Sequence, residues 1–154
     1  MWCKEGTRCR LELSTSSPTA MDCAGEHCEL RYDGTGEVDL LCRKGVTCDT
    51  VIDTTGGIDL TCLDGAICTV SGYTTGDFRV NCEDRASCDI TVRTGWGRSL
   101  IDCGAAESCR VEGLHKYLSL RCPGNKEVVV CGLGAEKRTI FACGEDACEG
   151  PVSK

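Results

Sequence analysis

Cysteine is the reactive side chain that this sequence contains in the largest number. The chain has 16 cysteines among 154 residues, and thiols at that density serve either as disulfides in an oxidising compartment or as thiolate ligands of soft metals. Thiolate sites favour C-x-C and C-x-x-C pairs, and the chain contains neither. The spacing therefore predicts a disulfide framework, with no metal and no cofactor.

Other residues that could carry a reaction are few. The two histidines, His27 and His115, are isolated in the sequence, and Ser108 lies near His115 without an orienting acid in a recognisable motif. Catalysis needs a convergent set of such groups. We expect no enzymatic activity and interpret the histidines as surface residues.

An acidic, glycine-containing segment at residues 33–37, followed by Asp39, is the best candidate for a calcium loop. Calcium-binding β-rolls repeat a GGxGxD unit at every turn, and that unit does not recur here. Aspartate and glycine also favour ordinary turns, which is the interpretation we adopt.

The cysteines reveal an internal repeat, which sets the elements that position them. First cysteines of successive pairs recur every 19 to 21 residues, at Cys3, Cys23, Cys42, Cys62, Cys82, Cys103, Cys122 and Cys143. Second cysteines follow at Cys9, Cys28, Cys48, Cys68, Cys88, Cys109, Cys131 and Cys148. The pairs are C-x5-C in five repeats, C-x4-C in two and C-x8-C in one.

Each repeat, or rung, reads as two short strands. Val38 and Leu40 alternate ahead of Cys42, and Ile90 and Val92 continue the same alternation after a second cysteine. A polar turn lies between the two cysteines, and a Thr-Gly corner follows the second strand. Strands that return after 20 residues stack by parallel pairing, so residues 1–154 are predicted to form one all-β, parallel β-solenoid domain of about eight rungs.

Disulfides within each rung are the simplest pairing, because both cysteines flank the same turn. They would tie the two walls of the rung together and offset a thin core, since only 5% of the residues are aromatic. Bridges between successive rungs remain the alternative, because stacking also brings like cysteines within about 5 Å.

The C-x5-C pair inside a short coil resembles the stapling of beetle hyperactive antifreeze proteins, which are disulfide-crossed β-solenoids. Segments such as CEDRASC and CGAAESC are similar to cysteine-rich repeats of uncharacterised exported proteins of bacteria and protists. The first resemblance implies architecture, and it makes ice binding an alternative function. The threonine ranks that ice binding needs are missing, because the position before the first cysteine holds Leu41, Thr61, Asn81 and Asp102 in turn.

Net charge and the start of the sequence bear on the partners and the cellular location that we expect. The net charge of −7 is interspersed, which disfavours nucleic acid, and no apolar run reaches the roughly 18 residues that a membrane span needs. Met1 and Trp2 lead directly into Cys3 without a signal peptide, so we expect a mature or excised segment of a secreted or cell-surface protein. We predict a structural module such as a stalk, adhesin segment or filament subunit, with a carbohydrate or protein receptor as a further alternative.

The ends of the solenoid depart from the repeat. A solenoid end exposes unpaired backbone groups. We therefore expect either that the segment comes from a longer array or that it associates end to end, with Trp2, Leu11 and Leu13 near the contact. In rung seven an expanded turn carries three valines at residues 128–130. We expect a bulged turn whose valines fold back over the last rung.

Overall fold

The computed structural model describes residues 2–113, 117–124, 126–134, 137–144 and 148. These residues form an all-β solenoid of about six turns with regularly spaced disulfides. The predicted fold class is confirmed, and the expected count of eight rungs is corrected to about six. The difference arises at the carboxyl end, where the parallel repeat stops.

The odd-numbered strands from β1 to β13 form the first wall, sheet A. Its strands, in spatial order, are β1 (Trp2–Cys3), β3 (Thr19–Cys23), β5 (Val38–Cys42), β7 (Ile58–Cys62), β9 (Phe78–Cys82), β11 (Ser99–Asp102) and β13 (Leu118–Arg121). All of these neighbours pair in parallel, and like positions of successive rungs lie side by side.

The second wall, sheet B, has eight strands. It runs from β2 (Arg8–Thr15) through β4 (His27–Gly34), β6 (Thr47–Thr54), β8 (Ile67–Thr74), β10 (Ser87–Thr94) and β12 (Ser108–Gly113) to β15 (Thr139–Cys143) and β14 (Val128–Leu133). Pairing is parallel from β2 to β12. Each of the first six rungs therefore contributes one strand to each wall, as predicted.

The core is the narrow space between the two walls. Val38, Ile58 and Phe78 form one fully buried column of sheet A, and Ile90 and Val92 are fully buried on sheet B. Alternate residues on each strand face water. The predicted period-two alternation is confirmed, and most inward residues are aliphatic, with Tyr32 and Phe78 as the largest fully buried side chains.

The turn between the two cysteines of a rung, which we call the cysteine turn, needs a left-handed residue. Gly45 and Gly65 have φ values of +70° and +67°, and Arg85 takes the equivalent position with φ +57°. A hydrogen bond from the Val46 amide to the Arg43 carbonyl closes the turn. A positive φ strains residues with a Cβ, so glycine is the natural occupant.

The opposite turn, which we call the glycine corner, stacks backbone directly on backbone. A Cβ at Gly76 would lie 2.6 Å from the backbone of Gly56 in the rung below. The buried Thr54 hydroxyl donates to the Gly36 carbonyl at 2.7 Å and accepts from the Gly56 amide at 3.0 Å. Thr74 repeats both contacts one rung higher. The Thr-Gly signature thus encodes contact between rungs as well as a turn.

The carboxyl end is a hairpin rather than two further rungs. β15 runs antiparallel onto β12, and β14 lies antiparallel on the far side of β15. The expected bulged turn over residues 128–130 is wrong, because these valines form a strand whose Val130 side chain is 61% exposed. The first strand of this hairpin begins within the C-x8-C repeat.

Candidate functional site

The cysteine pairs are the chemical feature that the sequence singled out, and in the first six rungs they form bridges across the cysteine turn. Their Cα atoms lie 6.2–6.6 Å apart. Predicted pairing within rungs is confirmed here, at Cys3–Cys9, Cys23–Cys28, Cys42–Cys48, Cys62–Cys68, Cys82–Cys88 and Cys103–Cys109. Five of these bridges join a strand of sheet A to a strand of sheet B, and in the sixth Cys103 follows β11 directly.

The last four cysteines pair differently from the prediction. The expected pairs Cys122–Cys131 and Cys143–Cys148 are wrong, because the structure joins Cys122 to Cys143 and Cys131 to Cys148. Both bridges have a Cα–Cα distance of 5.3 Å. The antiparallel hairpin explains the exchange, since it carries Cys143 back beside the end of β13.

Three buried sulfurs, those of Cys62, Cys82 and Cys88, lie within 4.8 Å of one another. Each belongs to a disulfide. A metal ligand must be a thiolate, so this cluster is a consequence of stacking and carries no metal chemistry while the bridges are intact.

The histidine and serine candidates lie in one outward column of sheet B but far apart. His27 is on β4 and Ser108 on β12, four strands away, which corresponds to about 19 Å. The His27 Nε2 atom is 3.2 Å from the Asp49 carboxylate and 3.7 Å from that of Glu29. His115 lies outside the described residues. The structure therefore does not bring His27 and Ser108 together.

In the acidic segment at residues 33–37, the two glycines pack against the backbone of neighbouring rungs. The missing Cβ of Gly34 allows the backbone to approach the Thr15 carbonyl, and the Gly36 carbonyl accepts the Thr54 hydroxyl. Asp33 is exposed and lies beside Asp53 of the next rung. The glycines of this segment are accounted for by the corner stack.

The outward faces carry mixed side chains. On sheet A, Thr61 lies between Leu41 and Asn81, and on sheet B, Thr69 lies between Asp49 and Asp89. The register thus places unlike residues side by side along each face.

Ion pairs link successive rungs beside the cysteine turns. Arg43 binds both carboxylate oxygens of Asp22, at 2.7 and 2.6 Å, and holds the pKa of Asp22 below its usual value. Arg85 binds Asp64 in the same two-pronged way, and Lys44 adds a contact of 2.8 Å. Exposed pairs of this kind contribute little each, so they fix register more than they add stability.

Comparison of the chain with protein-family models, with curated proteins and with solved structures finds no match. Among the described residues there is also no helix long and apolar enough to cross a membrane. Evidence about function therefore comes from the fold and from its departures from regularity.

One such departure is a charged cluster beneath the terminal hairpin, which the sequence did not indicate. Arg110 lies 3.5 Å from both Asp89 and Glu112, and Glu112 is only 9% exposed. Burial raises the pKa of Asp89. The backbone at Gly134 packs against the Glu112 carboxylate, so the hairpin rests on this cluster.

A second departure is an exposed aromatic corner. Trp96 is an inserted residue between Gly95 and Gly97, in the 21-residue step from one rung to the next, and it is 77% exposed. The Tyr73 hydroxyl lies close to Gly95. Arg93 places its guanidinium 6.0 Å from the Tyr73 ring centre. In the sequence, only the 21-residue step from Cys82 to Cys103 indicates an irregularity at this corner.

The amino end holds the residues predicted for end-to-end contact. Trp2 belongs to β1, the outer strand of sheet A, and Leu11 and Leu13 face inward on β2, the outer strand of sheet B. Both leucines are only partly buried, whereas Leu30 and Tyr32 in the same columns are buried. The structure thus places these residues at one end, and their role in contact stays a prediction.

Proposed function

We propose that this protein is a non-enzymatic extracellular module with a structural role, as a rigid stalk, spacer or surface segment. The observation that carries the proposal is the disulfide that joins the two walls in each of the first six rungs. A bridge of that kind prevents the walls from separating locally, because the short loop it closes cannot open.

Continuous pairing supports the same role. Sheet A stacks seven strands in parallel register, and the glycine corners bring the backbones of neighbouring rungs into direct contact. Solenoids of this kind behave as one-dimensional arrays in which each rung is stabilised by its neighbours. A stiff rod of fixed length follows from that arrangement.

The number of disulfides supports placement outside the cell. Disulfides persist in oxidising compartments, and domains with thin cores there depend on them. Many disulfides are typical of extracellular proteins. Secretion or display at the cell surface is the setting in which this module would work.

Heat and protease resistance test the proposal. The oxidised protein is expected to keep its β circular dichroism and to resist thermolysin at temperatures where the reduced and alkylated protein is digested. Small-angle scattering of the oxidised protein should fit one rigid shape over the same range. Rapid digestion of the oxidised protein would contradict a structural role outside the cell.

A receptor for carbohydrate is a second candidate, favoured by the exposed pair Trp96 and Tyr73. Exposed aromatic faces bind apolar ring surfaces and are common anchors of recognition. A glycan array probed with the wild type, Trp96→Ala and the control Leu100→Ala tests it. Binding that is lost only in Trp96→Ala supports the receptor, and absence of binding by the wild type rejects it.

A further inference from the structure

The outer strand at the amino end of sheet B offers a long edge. Within the described residues β2 is hydrogen-bonded only to β4, along all eight of its residues. The other edge of β2 leaves backbone donors and acceptors facing outward, and such an edge is a template for another strand. Pairing there would also cover the partly buried Leu11 and Leu13.

The two ends of sheet B are not alike. A second copy that continued the coil head to tail would have to place its β2 in parallel on β12, but β15 already occupies that edge in the antiparallel sense. The contact between β12 and β15 also demonstrates that this sheet accepts an antiparallel neighbour. Strand pairing between two copies is therefore expected to join their amino ends.

A two-fold axis between two such ends sets the strands β2 antiparallel. Inward residues then stay opposite inward residues only when the axis lies midway between two copies of the same residue. A register centred on Leu11 places Arg10 of each copy opposite Glu12 of the other, and pairs Leu11 with its own counterpart. Centring on Arg10 would set Arg8 opposite Glu12 but would also oppose two copies of Arg10, and centring on Glu12 would oppose two glutamates.

The charges on β2 thus select a single well-overlapped register. Arg10 and Glu12 are both exposed, with side chains 73% and 63% accessible, and they already lie 3.2 Å apart within the strand. Opposite charges directly across an antiparallel pair are favourable and like charges are unfavourable. The self-complementary order of this strand fits an isologous contact.

We propose that the protein forms a closed head-to-head dimer through antiparallel pairing of β2 with β2 of a second copy, centred on Leu11. The proposal extends the structural module by doubling its length. It rests on the fold rather than on the stability test above, so resistance to heat and protease can hold whether or not the dimer forms.

Sedimentation equilibrium of the oxidised 154-residue chain over a wide concentration range tests the dimer. We expect one associated species with twice the chain mass of 16.4 kDa. Arg10→Glu and Glu12→Arg should each weaken the dimer at least about tenfold, because each change turns two attractive pairs into two repulsive ones. The double variant R10E/E12R restores both pairs and should return to within about threefold of the wild type. Arg79→Glu, at an exposed position inside sheet A, is the matched control and should dimerise normally.

Circular dichroism melting of each variant establishes that the single reversals still fold. Four results would overturn the proposal: a monomer at all concentrations, species that keep growing beyond two chains, a dimer indifferent to Arg10→Glu, or failure of the folded double variant to recover. Weaker association of the wild type at high salt, restored when the salt is diluted, is expected because the contacts that select the register are exposed ion pairs.

Discussion

Replacing Gly56 by alanine tests whether the glycine corners depend on direct backbone contact between rungs. An ideal Cβ at Gly56 would lie 2.4 Å from the carbonyl oxygen of Gly36 and 2.8 Å from the amide nitrogen of Glu37. Ordinary contacts of a Cβ begin at 3.4 Å, so the corner must shift by about 1 Å against close-packed backbone. No flexible side chain is available to absorb that shift, because the atoms in contact are backbone.

The cost combines two losses. The Gly36 carbonyl that would be displaced accepts a 2.7 Å hydrogen bond from the buried Thr54 hydroxyl. Losing a buried hydrogen bond costs about 1–3 kcal/mol, and overpacking adds about 1–3 kcal/mol. We expect Gly56→Ala to lower the free energy of unfolding by about 3 kcal/mol.

Gly57 provides the matched control in the same corner. A Cβ there has one close neighbour, the Asp77 carbonyl oxygen at 3.3 Å, and alanine at a compatible site stabilises by about 0.4–1 kcal/mol through the unfolded chain. Guanidinium unfolding with the disulfides intact measures both variants. With a slope of about 4 kcal/mol/M, the Gly56→Ala midpoint should fall by about 0.7 M. Equal midpoints for the two variants would refute the corner argument.

Three further predictions follow from buried groups and bridges. The Thr50 hydroxyl is buried in an apolar column and has no hydrogen-bond partner among the described residues, so Thr50→Val should raise the free energy of unfolding by about 1 kcal/mol; a loss of stability would contradict this. Burial raises the pKa of Asp89, so the folded state disfavours its charged form and stability falls as pH rises from the unfolded to the folded pKa. Asp89→Asn should therefore stabilise at pH 7, by less than about 1 kcal/mol because the group is partly exposed, and have no effect at pH 3; a pH-independent effect would argue against burial as the cause. Peptide mapping without reduction should recover the disulfides Cys122–Cys143 and Cys131–Cys148. The pairs Cys122–Cys131 and Cys143–Cys148 should not be found.

The repeat could be predicted because each of its signals is local. Alternation around Val38 and Leu40 specifies which face of a strand is buried, and the spacing of Cys42 and Cys48 is short enough for a bridge across one turn. Gly45 lies in the short turn between these two cysteines, and its φ is positive in the structure. Parallel stacking then follows, because a repeat of constant length returns each strand to the same position one rung higher.

The terminal hairpin could not be predicted from the same signals. The residue pattern of a strand such as β15 does not distinguish parallel from antiparallel pairing. Strand direction depends on how the chain returns, and the route between β13 and β15 includes a whole strand, β14. The disulfide between Cys122 and Cys143 could not be predicted either, since the direction of β15 decides which cysteine lies beside Cys122.

The surface features were missed for a different reason. Arg110 and Glu112 are ordinary outward residues of a strand by pattern, and they become partly buried because the hairpin lies beside them. Trp96 stands at a corner where its neighbours are glycines, so no periodic pattern covers it. Tertiary packing at the points where the repeat ends or lengthens decides both cases.

A regular array also limits where specific function can reside. Interior rungs are nearly equivalent, so a contact made by one of them is weakly distinguished from the same contact one rung away. Positions that break the equivalence are the open edge at β2, the corner at Trp96 and the hairpin that covers β12. Of these, β2 combines an edge that no described strand pairs with and a charge order that complements itself only in one well-overlapped register. A partner that recognises this module at one defined place is therefore best matched by a second copy at that edge.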